Sequence, residues 1–159
     1  MSHYSLIESK PPVPDGISCK YFLLSEAQAK HGTILVASFK GTYPDGSLGN
    51  SHGAYIATAA LYGVSAFDAD CLILDFRELS YRWGNTLLMV FQDISQYKDG
   101  ELEPDEIPFP IVVVTSDLSR DAFLSLVTPV GSAAPEWHFQ DMDTAIEYAQ
   151  RKIEEWFSY

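Results

Sequence analysis

The runs Cys71-Leu-Ile-Leu-Asp-Phe76 and Pro108-Phe-Pro-Ile-Val-Val-Val-Thr115 constrain this chain more than any other feature. Each is short and almost unbroken in its apolar character, which suits a strand buried on both faces. Strands of that kind belong mostly to parallel sheets, whose crossover connections are helices packed on the sheet. The intervening segments fit this reading. Trp83 to Tyr97 carries Leu87, Leu88, Phe91 and Ile94 at helical spacing. Met142, Ala145, Ile146, Ala149, Ile153 and Trp156 form one stripe on a last helix, with Asp141 as its cap.

The remaining elements follow from local chemistry. Thr33 to Lys40 is expected as a central strand and Ile17 to Leu24 as an edge strand. A helix starts at Asn50 or Ser51, runs to about Tyr62 and stops at Gly63. Asp117 caps a helix containing Leu118, Ala122 and Leu126, and Glu136 to Phe139 forms a short strand. Residues 1–16 form an extended lead-in ending in Lys10-Pro-Pro-Val-Pro-Asp-Gly16. Residues 17–159 are then one α/β domain, with a mainly parallel or mixed sheet of about 4–6 strands and about 4 helices.

Composition bears on partners more than on fold. Among 159 residues, 22 are acidic and 10 basic, for a net charge of −12 with histidines neutral. That field repels phosphate backbones and argues against nucleic acid as a partner, while it attracts a basic protein. The two cysteines, Cys19 and Cys71, lie in unrelated apolar segments and read as buried thiols in a reducing compartment. Met1 to Lys10 has no apolar signal core, and no stretch approaches the roughly 18 apolar residues of a membrane span. A cytoplasmic protein with no membrane partner is expected.

The segment after the first buried run is the most distinctive in the chain. Arg77, Glu78, Tyr81, Arg82, Trp83 and Gly84 follow it closely, at the place where parallel sheets form their ligand crevice. Arginine, tyrosine and tryptophan also dominate interface hot spots. The plainer alternative is a salt-bridged strand end with Trp83 tucked into the core. Tyr43, Asp45 and Asn50 lie in the Gly-rich loop Gly41 to Asn50, which follows another strand and opens a helix. Such a loop can hold an anion on its amides, although it lacks the Gly-Lys-Ser/Thr ending of a nucleotide loop, and a plain connection explains it as well. His52 sits at that helix start, either as a base or as a surface or capping histidine. His3, His31 and His138 are scattered, so no metal site and no cofactor is expected.

The element order from Gly32 onward resembles the STAS domain family of anti-anti-sigma-factor-like regulators, as does the phrase Phe139-Gln-Asp-Met-Asp-Thr-Ala145. That resemblance implies a signalling module with a phosphorylatable Ser or Thr at the helix start, in an Asp-Ser-Ser-Gly setting. The stretch here reads Tyr81-Arg-Trp-Gly84, with Ser80 and Thr86 as the neighbouring hydroxyls. The turn Tyr81-Arg-Trp-Gly-Asn-Thr-Leu87 is also similar to the Phe-x-x-Gly-x-Asp-Leu turn of the crotonase and ClpP-like superfamily. By that likeness Gly84 would supply an oxyanion-hole amide, with Tyr81 or Glu78 beside it, to an acyl-CoA. Neither motif set is intact. The reading that best fits charge and residue types is a non-catalytic protein-binding module. Its most concrete form is a bacterial immunity or inhibitor protein whose acidic side chains cover a basic toxin, or a regulator with a basic partner. Oligomeric state is open.

Overall fold

A computed structural model of the chain describes residues 3–158. The lead-in up to Gly16 has no regular secondary structure. Five strands follow among the described residues: β1 (Ile17–Leu23), β2 (Ile34–Thr42), β3 (Cys71–Ser80), β4 (Ile111–Val114) and β5 (His138–Phe139). Four α-helices alternate with them: α1 (Asn50–Ala66), α2 (Met89–Lys98), α3 (Arg120–Val127) and α4 (Met142–Phe157). Short 3-10 turns at Gly46–Gly49 and Asn85–Leu88 lead into α1 and α2.

The strands lie side by side in chain order. β1 runs antiparallel to β2, and every later neighbour is parallel. The two apolar runs thus become β3 and β4 at the centre of a mixed sheet, as their lack of a wet face requires. Leu72, Leu74, Phe76 and Val113 point into the larger core beneath α1, α2 and α3, with Ile56, Ala60, Val90, Ile94 and Phe123 opposite them. Cys71, Ile73, Val112 and Val114 point the other way, onto the Ala145, Ala149 and Ile153 stripe of α4. Alternation along each strand supplies both cores.

Three local expectations are corrected. α1 does not stop at Gly63 but continues to Ala66, because Gly63 is where the helix presses onto the sheet. A Cβ there would lie 2.6 Å from Tyr21 Cε1 and 2.9 Å from Leu35 Cδ2. Asp117 does not cap α3: Ser119 holds that position, and Asp117 pairs with Arg120 at 2.9 Å. β3 runs past Phe76 to Ser80, so Arg77 and Glu78 are strand residues and not part of the loop. Asp141 does cap α4, accepting the Thr144 amide at 2.9 Å.

Candidate functional site

The extension of β3 decides where the candidate residues go. Ser38 pairs with Asp75 and Lys40 with Glu78, so β3 carries one more residue than β2 between these pairs. The bulge turns Arg77 and Glu78 both outward onto the face away from α1, and returns Leu79 to the core. Arg77 binds the Asp75 carboxylate there, and Glu78 lies 4.0 Å from Lys40 Nζ. Arg77 and Glu78 are therefore separated by the sheet edge from the loop residues with which their spacing groups them. The single crevice expected from the sequence is two surfaces.

The loop residues form a rim at the C-terminal ends of β2 and β3. Past β3, the Tyr43 amide donates to Ser80 O at 2.8 Å, and the Tyr81 amide to Leu118 O at 3.1 Å. These bonds tie three successive loops together. The Tyr81 side chain turns inward, with its ring edge-on to Tyr43 at 5.0 Å between centroids. Its hydroxyl donates to Gly84 O at 2.8 Å, closing a tight loop over Arg82 and Trp83. Gly84 takes φ +146°, where a side chain is strained. With Tyr81 drawn in, the two residues between are driven out.

Trp83 is 61% exposed. It is also fixed. Gly46 donates its amide to Trp83 O at 3.2 Å, and its lack of a side chain lets the indole lie where a Cβ would otherwise stand. Arg82 crosses the rim to Asp45: Nε reaches Oδ1 at 3.2 Å, and Nη2 bonds Oδ2. Thr86 Oγ1 donates to Asn50 Oδ1 at 2.7 Å, joining the turn before α2 to the start of α1. Leu48 on the Gly46–Gly49 turn is 78% exposed, and Leu118 after β4 is half-exposed. Shallow depressions flank Arg82, one toward Pro44 and Asp45, the other toward Asp117, Leu118 and Asp121.

Of the ten residues expected in the site, Asp45, Asn50, Arg82 and Trp83 therefore meet on the exposed rim. Tyr43, His52, Tyr81 and Gly84 are buried beneath it. Burial and the neighbouring Tyr43 push the Tyr81 phenol up, so it stays protonated and donating. His52 lies buried within the first turn of α1 and not at its cap or on the surface: its Nε2–H donates to the Asp15 carbonyl at 2.8 Å and pins the lead-in to α1. Leu48, Leu118 and Gly46 were not legible as site residues. The one signal was Leu48, an apolar residue placed among turn formers. Among the described residues no group of three or more His, Cys, Asp or Glu is placed to hold a metal. No described helix is long and apolar enough to cross a membrane.

No known family matches the chain, and no curated protein does. Among solved structures, the chain is similar to the crystal structure of an anti-sigma factor antagonist from Mycobacterium paratuberculosis. The TM-score is 0.53 at 16% identity, covering 87% of this chain and 97% of that one. The likeness shows the fold, which is the STAS fold.

Proposed function

We propose that the protein acts by binding another protein at the strand-end rim, and that the partner is basic. The observation that carries this is Trp83, a large aromatic side chain that stands 61% exposed against Gly46, on a loop closed by the Tyr81–Gly84 bond. An exposed indole beside an arginine has the composition of an interface hot spot, where tryptophan and arginine are enriched. The rim acids Asp45, Asp117 and Asp121 outnumber the arginines Arg82 and Arg120 that pair with them, and with the net charge of −12 they attract a basic surface. The fold of an anti-sigma factor antagonist supports a regulatory role. A narrower version is inhibition, in which the rim covers the basic active site of a toxin.

The acyl-CoA alternative is weaker on the same geometry. Tyr81's hydroxyl is committed to Gly84 O, and Gly84 sits so close under Tyr43 that a Cβ would be 2.8 Å from its ring. Both residues serve the loop that presents Trp83.

The test begins with a stoichiometric partner captured from the native host at low salt and purified. Trp83→Ala should weaken its binding by about 30-fold, the effect of losing a hot-spot side chain. Glu78→Ala, on the other surface, should bind as the wild type does. Wild-type affinity in Trp83→Ala, with an unchanged circular dichroism spectrum, overturns the rim as the interface.

A further inference from the structure

The β1 edge of the sheet carries a second unclaimed surface. β1 is a terminal strand, so one side of its backbone has no strand beside it among the described residues. An open edge of this kind is a template for another strand. Exposed apolar side chains flank it on both faces. On the face left bare by α4, Phe22 is 54% exposed beside a groove of about 700 Å³ lined also by Lys20, Val36 and Ser38. On the other face, Tyr21 packs against the exposed Tyr62 and Phe67, with centroids at 6.5 and 5.8 Å.

The lead-in has the complementary pattern. Leu6 and Ile7 are 99% and 84% exposed. Pro11, Pro12 and Pro14 favour an extended connection to β1, and the His52–Asp15 bond anchors its base, so the apolar tip is held away from its own sheet. We propose that residues 4–9 of one copy add as an antiparallel strand to the free edge of β1 in a second copy, reciprocally about a two-fold axis.

Side-chain alternation fixes the register. With Leu6 opposite Phe22, Glu8 falls opposite Lys20 on the same face, and Ile7 falls opposite Tyr21 on the aromatic face. A slip of one residue would set Glu8 against Tyr21 or Cys19 on the other face, and a slip of two in either direction would lose the Glu8–Lys20 pair. Lys20 is exposed, so Glu8 from a second copy meets a reachable cation. Main-chain bonds along the edge would supply the affinity, as in other strand additions. The second copy is favoured over the chain's own edge because a fold-back needs residues 10–16, which hold three prolines and are pinned to α1 at Asp15, to reverse direction.

Sedimentation equilibrium of the full chain tests this. The wild type should show a monomer–dimer equilibrium below about 0.5 mM. Glu8→Lys should weaken dimerisation by about tenfold, since a dimer holds two copies of the pair. Lys20→Glu should do the same, and the double variant should recover wild-type association. Both changes lie on exposed positions, so folding does not confound them. A monomeric wild type overturns the proposal, as does a dimer insensitive to Glu8→Lys or one that the double variant fails to restore.

Discussion

Asp75 is only 7% exposed, yet it sits on the face of the sheet that α4 leaves bare. Its two oxygens are fully used. Arg77 Nε reaches Oδ1 at 2.8 Å and Nη2 reaches Oδ2 at 3.1 Å, while Ser38 Oγ donates to Oδ2 at 2.8 Å. Burial alone raises its pKa, but the Arg77 and Ser38 bonds together outweigh it and hold the carboxyl below its usual 3.8. A native pKa below the unfolded one stabilises the fold above that unfolded value, and the contribution fades as pH falls through the native one. Asp75→Asn should therefore cost about 2 kcal/mol at pH 7, toward the low end for a charged pair because Arg77 is partly exposed. Urea unfolding at pH 7 and pH 3 measures it. The gap between variant and wild type should narrow at the acid end, and an unchanged gap would mean that Asp75 is not linked to folding.

Gly63 shows why one helix was shorter in the sequence than in the fold. A glycine after an apolar stretch reads as a C-terminal stop, because glycine alone enters the left-handed region cheaply. Here its use is lack of bulk: α1 meets β1 and β2 there, against Tyr21 and Leu35. Gly63→Ala should lower stability by about 1–2 kcal/mol in chemical denaturation, although alanine is the better helix former, because overpacking against an aromatic ring outweighs propensity. A stabilised variant would show that Tyr21 can move aside at no cost. The same reasoning explains what else was legible. β3, β4 and α4 were readable from burial, since continuous apolar runs and a single stripe have few interpretations. The charged end of β3 was not, because a strand carries residues such as Arg77 and Glu78 freely where no helix covers it, and only the tertiary arrangement says where α4 stops. The rim was half legible for the same reason. Its polar members stand out in the sequence, but Leu48 and Leu118 become site residues only when three loops converge.

At the scale of the molecule, charge acts on folding and on binding in opposite directions. With 22 acidic and 10 basic residues the native state repels itself, and the exposed pairs at Lys40–Glu78 and Lys152–Glu155 are too weak to offset a field of −12. Added salt screens that repulsion over a Debye length of about 8 Å at physiological ionic strength. The midpoint of thermal unfolding should therefore rise as sodium chloride goes from about 10 to about 150 mM, and level off as screening saturates. Association with a basic partner should weaken over the same range, chiefly through a slower on-rate. The opposed signs make the pair of measurements informative, because salt-induced unfolding cannot be mistaken for salt-induced release. A midpoint that falls with salt would mean that favourable ion pairs, and not net repulsion, govern the native state. Steering of a basic partner would then have to come from the rim, where Asp45, Asp117 and Asp121 exceed Arg82 and Arg120 by one charge.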